Sequence, residues 1–230
     1  MIQATKFIFF GTPLFAVRVL SQLVGANLIP LAVVTNPDRP VGRKQIMTPS
    51  AVKLFIEQLP SNPSAGSQPP LGYGGQAGQE KIKVLSPEKL DKAFTEILKE
   101  LKPDFFMVAA YGKIIPGEAL AIPPLGVIGV HPSLLPKYRG ASPIQSALLA
   151  GEQETGVSLY FLDEKMDAGS VIAQETVPIQ SDETYETLAE KLANVSGKLL
   201  LKNLPDLKSA KLNAEIQDET KATYTKKFKT

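Results

Sequence analysis

The sequence predicts an α/β fold, an open, mostly parallel, Rossmann-like sheet with helices on both faces. Three observations carry that expectation. Apolar runs without alternation, such as KFIFF (6–10) and DFFMVAA (104–110), are what parallel strands covered on both faces require. Segments with helical spacing of apolar residues stand between such runs. The first 34 residues already read strand, helix, strand, a βαβ unit with an expected right-handed crossover.

KFIFF ends at Gly11-Thr12-Pro13, where Thr12 can cap a helix opened by Pro13. Phe15, Val19, Leu20 and Leu23 recur at helical spacing, and LIPLAVV (28–34) is the next strand, its proline marking an irregularity. TNPDRPVGRKQIMTPS (35–50) is too rich in Pro, Gly and charge to be regular. It begins at a strand end, the edge where open parallel sheets bind ligands, and it suits a solvated loop equally well. Ser50 is placed to cap AVKLFIEQL (51–59). Residues 61–79 carry no charge and are dense in Gly, Pro, Ser and Gln, so they read as a flexible low-complexity insertion.

KIKVL (81–85) resumes as a strand, and Ser86-Pro87 opens a helix through Leu101. DFFMVAA ends at Tyr111-Gly112, and LGVIGV (125–130) ends at His131-Pro132. GVSLYFL (156–162) and SVIAQETVPI (170–179) are later strands. An amphipathic helix over 182–203 carries Leu188, Leu192, Val195 and Leu199. Residues 1–203 therefore read as one domain, and 204–230 as a lysine-bearing tail with little apolar patterning.

Composition narrows the chemistry. No cysteine occurs, which removes disulfides, thiolate nucleophiles and Cys-based metal sites. A single histidine excludes a His-rich metal site, so no metal is expected. No apolar run approaches the roughly 18 to 20 residues of a membrane span, and no signal-peptide pattern opens the chain. A cytoplasmic monomer without membrane association is the expectation. The net charge of +2 is too mild to advertise nucleic-acid binding by itself.

Any imidazole chemistry must run through His131, which follows a buried strand directly. Its backbone is thereby fixed while its ring can project into a cleft. Pro132 and Pro136 stiffen the following turn. Ser133, Leu134 and Leu135 offer a small polar group and two apolar side chains where a flat ring could lie, although the same segment could simply plug the loop onto the core.

GVHPSLLPKYRG (129–140) followed by LDEKMDAGSVIAQ (162–174) resembles the folate-dependent formyltransferases. Five further segments, FFGTPLFAVRVL (9–20), NPDRPVGR (36–43), TPSAVK (48–53), AAYGKIIP (109–116) and KATYTKKF (221–228), together with YRGASPIQSALLAGEQETGVS (138–158), narrow the resemblance to the branch acting on methionyl-tRNA. The resemblance implies the formyltransferase fold and transfer of a formyl group from 10-formyltetrahydrofolate to the α-amine of methionine on initiator tRNA. It implies His131 as oxyanion donor and proton relay. Asp167, in the turn Met166-Asp167-Ala168-Gly169, would orient the imidazole, with Gly169 giving that turn a positive φ. Asp163 and Glu164 are rival carboxylates by spacing, and Asp167 could merely cap the turn.

For folate, the resemblance points to Ser133, Leu134, Leu135 and Pro136 and to the backbone at Ala110, Tyr111 and Gly112. For tRNA, it points to Arg43, assisted by Arg39 and Lys44, with phosphate contacts that weaken with salt. Lys221, Lys226, Lys227 and Lys229 could add such contacts, or belong to a solvated linker. Two departures stand out. The family carries an Asn two residues before its histidine, where this chain has Gly129. Loss of one oxyanion donor costs on the order of 10² to 10³ in rate, so a slower or differently assembled site is expected. The family also continues into a β-rich, tRNA-holding C-terminal domain, toward which 204–230 would lead. Two other readings fit: formyl transfer to another amine, such as an amino sugar nucleotide, and a non-catalytic folate- or RNA-binding module. Gly11-Thr12-Pro13 lacks the G-x-G-x-x-G of a dinucleotide site.

Overall fold

The computed structural model describes residues 6–59, 82–208 and 213–228. The low-complexity insertion expected at 61–79 lies outside these residues. Seven strands form one sheet: β1 (Phe7–Gly11), β2 (Ala32–Val34), β5 (Lys83–Leu85), β6 (Phe105–Ala109), β7 (Val127–His131), β9 (Glu154–Phe161) and β10 (Val171–Pro178). Their spatial order is β10-β9-β7-β6-β1-β2-β5. The five strands from β7 to β5 are mutually parallel, and β9 and β10 add two antiparallel pairings at one side.

Alternation along the central strands explains why they are apolar throughout. Phe7 and Phe9 of β1 enter one core, while Ile8 and Phe10 enter the other. Phe105 and Met107 of β6 follow the first pair, and Phe106 the second. The first core is closed by α1 (Leu14–Gly25), α2 (Ala51–Gln58), α5 (Pro143–Leu149) and α6 (Tyr185–Lys208), with Leu20, Phe55, Ile144 and Leu192 inward. The second is closed by α3 (Lys92–Glu100) and α4 (Gly117–Leu120), through Phe94, Leu98 and Ala119. Strands β1 and β6 thus lose both faces to helices, as the pattern of their residues requires.

Several boundaries differ from the sequence expectation for local reasons. Thr12 does not cap α1: Pro13 takes the N-cap position without a side-chain bond. The Thr12 hydroxyl instead donates to Tyr111 O at 3.2 Å and accepts the Asn36 N–H at 3.4 Å, tying three strand ends together. Ser50 does cap α2, accepting Lys53 N–H at 3.0 Å. The helix expected from Ser86 begins only at Lys92, because Asp91 supplies the N-cap. The preceding loop is held by Lys113 Nζ, which donates to Pro87 O and Glu88 O. The supposedly irregular 35–50 segment contains a hairpin, β3 (Arg39–Val41) against β4 (Ile46–Thr48). Helix α6 passes residue 203 without a break and ends at Lys208.

Candidate active site

The C-terminal ends of β7, β6, β1 and β2 lie along one sheet edge, and β1 is flanked by β2 on one side and β6 on the other. Such a reversal of strand order opens the crevice where α/β sheets bind ligands. His131 is the last residue of β7 and is 6% exposed. Its Nε2–H donates to Tyr138 O at 2.8 Å, which fixes the ring and leaves Nδ1 for other work. Nδ1 faces Asp167 Oδ2 at 3.7 Å, too far for a hydrogen bond but open to a bridging atom.

Asp167 is anchored on both oxygens. Oδ2 accepts the Gly140 N–H at 2.7 Å and Oδ1 accepts the Tyr160 hydroxyl at 2.5 Å. Its backbone sits at φ +50°, so the positive φ expected of Gly169 belongs to Asp167 itself. Gly169 serves a different need: a Cβ there would lie 1.8 Å from Phe161 O. Of the rival carboxylates, Asp163 Oδ1 is spent on Lys165 N–H at 2.8 Å. Ala110 (φ +50°) and Tyr138 (φ +60°) also hold left-handed backbones beside this site, conformations a rigid surround must enforce.

The loop after His131 is secured from beneath. Ser158, opposite His131 in β9, donates to Ser133 O at 2.7 Å and accepts Leu135 N–H at 2.9 Å. Gln174 Nε2 donates to both Ser158 Oγ and Leu135 O. Ser133 is fully buried, and its hydroxyl is used internally on Lys137 O at 2.6 Å. Leu135 is buried as well, whereas Leu134 and Pro136 are half-buried. Ala110 and Gly112 are exposed at the end of β6, but the Tyr111 ring turns into the second core against Phe10. Burial pushes the Tyr111 phenol up to about 12. Arg39, Arg43 and Lys44 lie on the exposed β3–β4 hairpin, Arg43 and Lys44 in its turn and Arg39 paired with Glu88 at 3.2 Å.

The segment 213–228 is the largest surprise. Gln217 Nε2 donates to Asp167 O at 2.9 Å and Gly169 O at 2.7 Å, bracketing the turn that carries the carboxylate. Arg139 N–H donates to Thr223 O, and β11 (Tyr224–Thr225) pairs with β8 (Arg139–Gly140). The Arg139 side chain is fully buried and bridges the two strands of this ladder. It donates to Gln217 Oε1, to both Glu219 oxygens and to Tyr224 OH, at 2.8 to 3.1 Å. We expect Arg139→Met to destabilise the fold by about 2–3 kcal/mol, the scale of charge-assisted bonds lost around a buried Gln. Limited trypsinolysis should then cut at Lys221 and Lys226; cleavage as slow as in the parent chain would mean backbone pairing alone holds the segment.

A formyl transferase family profile matches residues 5–204, nearly nine-tenths of the chain. The chain belongs to the formyl transferase family. The chain is 41% identical over 220 residues to the methionyl-tRNA formyltransferase of Halalkalibacterium halodurans, covering 95% of this chain and 63% of that protein. It is 42% identical over 223 residues to that of Listeria innocua, covering 96% of this chain and 64% of the relative. The chain thus spans somewhat under two thirds of these relatives' length. Its fold matches the N-formyltransferase of Helicobacter canadensis, solved with folinic acid and dTDP-3-aminofucose, with a TM-score of 0.65 at 21% identity over 96% of this chain and 70% of that one. Among the described residues, no group of three His, Asp or Glu side chains could hold a metal ion, and no helix is long and apolar enough to cross a membrane.

Proposed function

We propose that this formyl transferase moves a formyl group from 10-formyltetrahydrofolate to the α-amine of methionine on initiator tRNA, in the cytoplasm. The observation that carries the reading is the His131–Asp167 pair, 3.7 Å apart at the end of β7 and held from outside on both residues. The neutral amine attacks the formyl carbon, charge gathers on the formyl oxygen, and N10 must leave protonated. His131 Nδ1 accepts the proton that the amine loses. The imidazolium so formed stabilises the oxyanion, with the Asp167 carboxylate beside it, and passes the proton to N10. Both substrates must be placed rigidly for this, which suits loops pinned by Ser158, Gln174 and Gln217.

For the donor, the reading uses Ser133, Leu134, Leu135 and Pro136 and the main chain of Ala110, Tyr111 and Gly112. The Ser133 hydroxyl and the Ser133 O, Leu135 N–H and Leu135 O groups are already bonded within the protein, so recognition there falls to the half-buried Leu134 and Pro136. For the acceptor, the turn residues Arg43 and Lys44, with Arg39, meet tRNA phosphates. The choice of methionyl-tRNA rests on the two relatives of that name. The test offers methionyl-tRNA and an amino sugar nucleotide side by side with 10-formyltetrahydrofolate. Formylation of the methionyl group alone is expected; formylation of the sugar amine in its place would overturn the reading.

A further inference from the structure

The geometry points to Tyr160 as the positioning residue of this site: its phenol hydroxyl holds the Asp167 carboxylate in place beside His131 Nδ1. The inference deepens the functional reading above and rests on it for its kinetic consequences. Four observations converge on one side chain. Tyr160 lies directly opposite Gly129 across the β7–β9 pairing. A Cβ on Gly129 would come within 2.4 Å of Tyr160 Cε1 and 2.6 Å of Cζ, so the ring occupies the room that any larger residue at 129 would claim. The ring also meets His131 edge-on, with centroids 6.3 Å apart. Its hydroxyl ends 2.5 Å from Asp167 Oδ1.

The consequence is a division of labour on Asp167. Oδ1 is bound by a buried phenol, Oδ2 by the Gly140 N–H, and the turn's own carbonyl by Gln217. A carboxylate in a left-handed turn with only Oδ2 anchored could rotate about its last torsion and close the 3.7 Å gap to His131. With Oδ1 also bound, Oδ2 keeps its distance and the gap stays open for the reacting atoms. Burial, followed by the Asp167 and Asp163 charges, pushes the Tyr160 phenol well above its usual range, so it remains an O–H donor throughout the working range of the site. The phenol therefore orients without competing for the proton being moved.

Tyr160→Phe isolates this role, because it keeps the ring over Gly129 and removes only the hydroxyl. A hydrogen bond to a charged group is worth roughly ten- to a hundredfold, so kcat should fall by about that factor while KM for donor and acceptor stays within about twofold. An unchanged kcat, or a loss carried by KM alone, would overturn the assignment. In an Asp167→Asn background Tyr160→Phe should add little further loss, since both changes act on one contact; additive losses would mean that Tyr160 works through something else. A second readout needs no turnover. His131 is the chain's only histidine, so its ring nitrogens give unique 15N signals. Tyr160→Phe should move the Nδ1 signal and leave Nε2, bonded to Tyr138 O, in place; an unmoved Nδ1 would also overturn the assignment. If the parent chain formylates no amine, the functional reading fails, and this spectrum still decides whether Tyr160 positions Asp167.

Discussion

Gly129→Asn should slow the proposed formyl transfer and destabilise the protein, even though the resemblance to its family would place an Asn at that position. The neighbourhood of residue 129 is already full. An added Cβ would lie 2.3 Å from Leu162 Cδ1 and 2.4 Å from Tyr160 Cε1, inside any tolerable contact. Leu162 can swing its methyl aside, but Tyr160 is 5% exposed, planar and fixed at its far end by Asp167. Overpacking of this kind costs about 1–3 kcal/mol, and prising the phenol from a carboxylate adds about 1.5–3 kcal/mol. A loss of about 2.5–6 kcal/mol should appear as a lower denaturation midpoint at unchanged m-value. The formylation rate falls with it, because Asp167 loses its Oδ1 anchor. Tyr160→Ala combined with Gly129→Asn relieves the crowding against the ring but not the loss of the phenol bond, so it should recover only the overpacking part of the loss. A single Gly129→Asn chain as stable as the parent would show that β7 and β9 do not pack as described.

That contrast shows which parts of the molecule are written locally in the chain. Strands β1 and β6 were legible because burial on both faces demands uninterrupted apolar residues, and no other element of that length shares the requirement. His131 at a strand end and Asp167 in its D-x-G turn were legible through the resemblance, and the structure brings them within 3.7 Å. What local reading missed depends on partners distant in sequence. Thr12 has the chemistry of a helix cap, but Tyr111 O and Asn36 N–H, 99 and 24 residues away, claim its hydroxyl. Arg39 to Thr48 looked irregular because Pro, Gly and charge dominate it, and the hairpin there is a solvent-facing ladder that buries no core. Tyr160 read as one more residue of an apolar strand. Its role emerges only when Gly129 is known to lie opposite, a pairing set by the register of β9 on β7. Residues 213–228 carry few apolar side chains because the segment is held by Arg139, Gln217 and backbone bonds, so a search for apolar periodicity passes over it.

His131→Ala is expected to have the largest effect on rate, and its design separates chemistry from architecture. Removal of a group that both relays a proton and stabilises the oxyanion should lower kcat by about 10² to 10⁴. Part of that loss could in principle be architectural, since the imidazole also supplies the Nε2–H donor to Tyr138 O. Tyr138 is itself held elsewhere: its N–H donates to Thr223 Oγ1 at 2.7 Å and its hydroxyl to Glu152 at 2.5 Å. The loop should therefore survive the substitution, with binding of 10-formyltetrahydrofolate changed by no more than severalfold. His131→Gln sharpens the distinction. Its amide can replace the donor to Tyr138 O but cannot accept and return a proton, so it should be as slow as His131→Ala while matching the parent in stability. Recovery of most of the rate in His131→Gln would assign the residue to scaffolding, and the proton would then have to travel through Asp167 Oδ2, which faces His131 Nδ1 at 3.7 Å.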